Sequence, residues 1–98
     1  MTVAYYLGDE ISAAGFRLAG ATTRVPAPGA ETDALAAARA ESKLVLVSAP
    51  VAARIDEAAL ARALAALSPL TLLVPDPAGE VPLPDIAARL RRQLGLEP

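Results

Sequence analysis

The side chains that could do chemistry in this chain gather at two places. Gly8-Asp9-Glu10 closes the first apolar run, and Ser48-Ala49-Pro50 closes the third. A carboxylate and a hydroxyl after two strands of one parallel sheet would sit where such sheets bind ligands. They could hold a small ligand or an anion. The same residues also suit a simpler role, because Asp and Ser cap helices routinely. Little else is reactive. The chain has no histidine, which removes the commonest general base and metal ligand. It has no cysteine, so thiolate chemistry and disulfides are absent. Zinc would have to be held by carboxylates alone. No catalytic residue, cofactor site or metal site is expected.

Phosphate-binding loops do not fit. No G-x-G-x-x-G follows a strand, and no G-x-x-x-x-G-K-[ST] occurs. "GFRLAG" at 15–20 carries two glycines, but they lie inside and at the end of a helical segment. They offer no row of free N–H groups to a phosphate. A phosphoacceptor receiver domain would place an aspartate after the third strand and a lysine after a fifth. Ser48 stands at the first of these places, and the only lysine, Lys43, opens the third strand. Nine basic against eleven acidic side chains leave no electrostatic footprint for nucleic acid. No apolar run approaches the ~20 residues of a membrane span, and the N-terminus lacks the pattern of a signal peptide. The expectation is a cytoplasmic protein.

The elements that must position these residues alternate. "TVAYYL" at 2–7 reads as a strand, with Tyr5 and Tyr6 on opposite faces as packing residues. Asp9 caps a helix over 10–19, whose inward face is expected to carry Ile11, Ala14, Gly15 and Leu18. Gly20 stands at its C-cap. "ATTRV" at 21–25 is a second short strand, and the Pro/Gly-punctuated segment after it is a loop. A helix over 30–42 has Leu35 as its one large anchor. "KLVLVS" at 43–48 is apolar almost throughout, as a central parallel strand should be. Residues 51–67 read as the longest helix, with Ile55, Leu60, Ala63, Leu64 and Leu67 near one stripe. Ser68-Pro69 ends it, and "LTLLV" at 70–74 is the fourth strand.

This alternation predicts an α/β fold: a small Rossmann-like, flavodoxin-like domain over 1–76. Its open parallel sheet has four strands in the order 2-1-3-4. "PDPAGEVPLP" at 75–84 has four prolines in ten residues and reads as a linker over 77–84, which makes Asp76 a turn residue. Residues 85–98 follow as a last helix. Ile86, Leu90 and Leu94 recur every four residues, beside Arg89, Arg91 and Arg92. That stripe suits either a partner protein, where arginine is enriched, or the chain's own sheet.

"GDEISAAGFRLAG" at 8–20 resembles the N-terminal signature of the F subunits of V-type and A-type rotary ATPases. The matching positions are Gly8, Asp9, Gly15, Phe16, Arg17, Leu18, Ala19 and Gly20. "KLVLVS", "SPLTLLVPDP" and "RLRRQLG" resemble the same family's later pattern. The glycines and Phe16 read as a packing device. The resemblance implies a non-catalytic component of the central rotor shaft of a proton- or sodium-translocating ATPase. Its partners would be the coiled-coil D subunit and, through the C-terminal helix, the catalytic A and B subunits. It would lie peripheral to the membrane, on the cytoplasmic side. The alternative is a stand-alone receiver-like or ligand-binding module that uses the Asp9/Ser48 crevice.

Overall fold

A computed structural model describes residues 2–75 of the chain. The element order is β1 (Thr2–Leu7), α1 (Glu10–Leu18), β2 (Thr22–Arg24), α2 (Glu31–Glu41), β3 (Ser42–Ser48), α3 (Ala49–Ala52), α4 (Glu57–Ala65) and β4 (Leu70–Val74). The expected linker at 77–84 lies outside the described residues. So does the last helix at 85–98, with Ile86, Arg89, Leu90, Arg91, Arg92 and Leu94.

All strand pairs are parallel, and the sheet is open with the order β2-β1-β3-β4. The expected fold class and strand order therefore hold. The reason is local: each apolar strand is followed by a helix that must cross over with one hand. β3 is the apolar centre, paired with β1 through Leu7↔Val47 and with β4 through Ser48↔Val74.

The larger core lies on one face of the sheet. Tyr5, Leu7, Val45 and Val47 meet Leu35 and Ala38 of α2, Val51 and Ala52 of α3, and Leu60 and Ala63 of α4. Each of these helices is short and alanine-rich, so packing on the sheet rather than propensity holds it. Among the described residues, the opposite face carries α1, which touches β1 and β2.

Two expectations about helices are corrected. Residues 51–67 do not form one helix. Ser48 caps α3, with its Oγ accepting from Val51 N at 3.4 Å, and Pro50 sits in the first turn. The chain then turns through Ala53–Ile55. Asp56 caps α4, accepting from Ala59 N at 3.0 Å, while its own N–H donates to Thr32 Oγ1 at 2.9 Å. The two caps, Ser48 and Asp56, set two axes where a run of alanines gives no boundary signal. Leu67 lies beyond the end of α4 and is exposed. The second correction is the facing of α1. Ala13 is its buried residue, while Ile11 is 88% and Leu18 92% exposed, and Ala14 and Gly15 are exposed beside them.

The helix expected to end at 42 stops at Glu41. Ser42 already has extended backbone, and its buried Oγ lies 3.0 Å from Val3 O and 2.8 Å from Leu44 O. α2 thus runs into β3 without a loop.

Candidate functional site

β1 and β3 are the neighbours at which the strand order reverses, so the crevice beyond their carboxyl ends is the candidate site. The structure brings Asp9 and Ser48 there, as their positions after the first and third strands suggest. Between them stands Tyr6, a residue whose place in the sequence marks it only for packing. Its ring is 1% exposed and stacks on Phe16, with centroids 4.3 Å apart and planes 21° from parallel. The ring passes over Gly8. A Cβ at Gly8 would overlap the Tyr6 hydroxyl and lie 2.7 Å from Cε2. Glycine is therefore required here by contact rather than by backbone angle.

The Tyr6 hydroxyl reaches the site, donating a long 3.4 Å hydrogen bond to Asp9 Oδ1. Burial pushes the phenol above its ordinary value, with the Asp9 charge adding to the effect, while the Ser12 and Ser48 hydroxyls act in the other direction. The other carboxylate oxygen of Asp9 accepts from Ser12 N at 2.9 Å and so caps α1. That backbone N–H is the main reason the Asp9 carboxyl sits below its ordinary value.

The shift has a direction that can be tested. A carboxyl depressed in the fold contributes stability above its unfolded value, and the contribution is lost as pH falls through the folded value. The advantage of wild type over Asp9→Asn, which keeps a capping side chain, should shrink as pH falls below about 3.8. Melting temperatures of both proteins across the acid range check this. A gap that stayed constant would mean that the negative charge of Asp9 contributes nothing.

The chemistry available in the crevice is thin. Both polar residues expected there are spent as caps, Asp9 on Ser12 N and Ser48 on Val51 N. Glu10 turns outward to pair with Arg17 along α1. Lys43 is exposed at the other end of β3, about 16 Å away at ~3.3 Å per strand residue, so it cannot serve the crevice. Asp9, Tyr6 and Ser48 can orient one another.

The remaining signature residues divide into two groups. Phe16 packs inward on Tyr6. Ala19 and Gly20 end α1 in a Schellman motif: Gly20 N donates to Arg17 O at 3.0 Å and Ala21 N to Phe16 O at 3.0 Å. Gly20 has φ +98°, which a glycine accommodates freely. Gly15, Arg17 and Leu18 face away from the sheet. No described residue lies within 4 Å of a Cβ built on Gly15, so the expected close packing of this residue on the sheet does not occur.

A second polar group at the same edge of the sheet has no signal in the sequence. Glu31 is buried at the start of α2. Its Oε1 accepts from Gly29 N at 2.9 Å, and its Oε2 lies 3.0 Å from Arg54 Nε. The Oε2 contact is charge pairing without a well-aligned hydrogen bond. The pair ties the loop before α2 to the turn after α3. Open grooves lie elsewhere among the described residues. One of about 350 Å³ runs between α2 and α4, lined by Leu35, Arg39, Ala59 and Arg62. Another, of about 420 Å³, lies beside β2 and includes Arg24, Pro26 and Asp33. Neither includes Asp9 or Ser48.

Among the described residues no helix is long and apolar enough to cross a membrane. The chain matches no known family model, and no curated protein matches it significantly.

Proposed function

We propose that this chain is a non-catalytic, protein-binding component of the rotor stalk of a V/A-type ion-translocating ATPase. It contacts the coiled-coil D subunit and reaches the catalytic A and B subunits, peripheral to the membrane on the cytoplasmic side. One observation carries the reading. The helix that holds the "GFRLAG" signature is apolar on two sides, and the described residues use only one of them. Ala13 and Phe16 serve the domain. Ile11, Ala14, Gly15 and Leu18 form an outward stripe at positions i, i+3, i+4 and i+7. Glycine inside a helix costs about 1 kcal/mol against alanine, and no contact within the described residues offsets that cost at Gly15. A partner helix lying against α1 would use both the space over Gly15 and the two flanking large side chains. The thin chemistry of the Asp9/Ser48 crevice agrees with a role in contact rather than turnover.

The double variant Ile11→Glu/Leu18→Glu tests the reading. Both side chains are exposed, so the melting temperature should stay within a few degrees of wild type. Recovery of the A, B and D subunits from the native host should fall sharply relative to wild-type bait. Failure of wild-type bait to recover any of them, from a lysate that contains the complex, would overturn the proposal. It would bring forward a ligand-binding role for the Asp9/Ser48 crevice, to be probed with Mg²⁺ and a phosphoryl analogue.

A further inference from the structure

β2 and β4 are the outer strands of the sheet. An outer strand leaves a row of N–H and C=O groups without a ladder partner, so folds shorten, charge or break their edges. β2 is guarded in this way: it has three residues, ends on Arg24 and is followed closely by Pro26. β4 is open by comparison. Its five residues, LTLLV, are uncharged, and no charged residue occurs from Ala63 to Pro75. Among the described residues, the strand paired with it is β3. β4 is also held firmly in place from one face. Thr71 is buried, with its Oγ1 accepting from Arg39 Nη1 at 2.8 Å, and Leu73 packs against the core. On the other face Leu70 and Leu72 are 38% and 45% exposed.

We infer that β4 pairs with β4 of a second copy of this chain, antiparallel about a two-fold axis at Leu72, so that two sheets join edge to edge. The strand complements itself in this register. Leu70 stands opposite the partner's Val74, Thr71 opposite the partner's Leu73, and Leu72 opposite the partner's Leu72. Opposed positions are always an even number of residues apart in the chain. Residues whose N–H and C=O point out of the sheet therefore meet residues of the same kind, and opposed side chains share a face. Leu70, Leu72 and Val74 of each copy then form one row beside the other, which covers apolar surface that a single copy leaves exposed. Every opposed pair is uncharged, so none repels. An isologous contact also closes at two copies, which removes the open edge as a site of further stacking. The segment that follows β4 in the sequence has prolines at 75, 77, 82 and 84, which lack the N–H that a ladder needs. α1 touches β1 and β2, on the far side of β3, so its Ile11/Leu18 stripe stays clear of this contact. The inference does not rest on the proposed rotor role.

The test uses the full chain, which has no native cysteine, so single cysteines report the register. The Cα atoms of Leu72 and the partner's Leu72 would stand about 4.5–5.5 Å apart, within the ~4.4–6.8 Å that a disulfide spans. Those of Leu70 and the partner's Leu70 would be about 14 Å apart along the strands. Under mild oxidation Leu72→Cys should form a cross-linked dimer about tenfold faster than Leu70→Cys, or more, although both positions are exposed. Sedimentation of wild type across the micromolar to millimolar range should show a monomer–dimer equilibrium. Leu72→Lys sets two ammonium groups against each other at the axis and should weaken the dimer by about tenfold or more. Mixing Leu72→Lys with Leu72→Glu should restore it. A chain that stays monomeric throughout, equal cross-linking of the two cysteines, or a dimer that Leu72→Lys leaves intact would overturn the inference. So would species that grow beyond a dimer, since a closed contact forms none. These readouts involve no ATPase subunit, and Ile11→Glu/Leu18→Glu should dimerise like wild type, so failure here is distinct from failure of the rotor proposal.

Discussion

Gly8→Ala is expected to destabilise the domain by about 3 kcal/mol, a large share of what a chain of this size has. Alanine normally improves on glycine outside special backbone conformations, and Gly8 has no positive φ. The loss comes from the Tyr6 ring, which a new Cβ would strike at its hydroxyl end. A flexible side chain on the surface could swing away. Tyr6 cannot, because its ring is buried and stacked on Phe16, so relief would require moving α1. The Gly8 N–H also donates to Arg24 O at 3.2 Å, which anchors the backbone on the other side. Urea denaturation of Gly8→Ala in wild-type and Tyr6→Leu backgrounds measures the coupling. The penalty should be much smaller once the ring is gone. A Gly8→Ala protein within about 0.5 kcal/mol of wild type would show that Tyr6 does not hold this position in solution.

Arg39→Ala should cost about 2–3 kcal/mol, or several degrees or more of melting temperature. From α2, its Nη1 lies 2.8 Å from Thr71 Oγ1 and 3.2 Å from the carbonyls of Ala63 and Pro69. One guanidinium thus joins three elements: α2, the end of α4 and β4. Truncation leaves the buried Thr71 hydroxyl and two carbonyls short of a charged donor. Arg39→Lys should recover only part of the loss, since one ammonium on a flexible stem does not reproduce the planar fork. The hydroxyl's share is separable. In an Arg39→Met background, Thr71→Val removes an orphaned polar group and should be near neutral, whereas in wild type it should destabilise. Equal costs in the two backgrounds would rule out the clamp.

The features around these two residues differ in how far they are legible in the chain itself. The Asp9 cap and the Gly20 stop are local, and each can be read from residue type and position. Asp9 needs only the N–H of Ser12, and Gly20 needs only a left-handed backbone after an apolar turn. The strands are legible for a similar reason. A nearly continuous apolar run such as "KLVLVS" suits a strand with neighbours on both sides, so it marks the centre of a parallel sheet before any partner is known. Right-handed connections narrow the possible orders, and 2-1-3-4, the order found, is one that they allow.

The facing of α1 is not legible, because periodicity gives an axis and not a sign. Ile11, Ala14, Gly15 and Leu18 make the stronger apolar stripe, yet Ala13 and Phe16 turn inward. The ring of Tyr6 decides between them by stacking on Phe16, and that contact exists only once the strand and helix are joined by Gly8-Asp9. The break between α3 and α4 is a similar case. Alanine favours helix on both sides of it, so the boundary is set by Asp56, whose N–H is held by Thr32 from another helix. Arg39 with Thr71 and Glu31 with Arg54 pair residues distant in the chain. Such pairs leave no trace in local spacing. The sequence by itself determined the strands and the two ends of α1 at Asp9 and Gly20, because these depend on groups a few residues apart. Which side of each helix faces the sheet, where glycine is indispensable and which charges are buried were decided by the tertiary structure, because those depend on surfaces that only folding brings together.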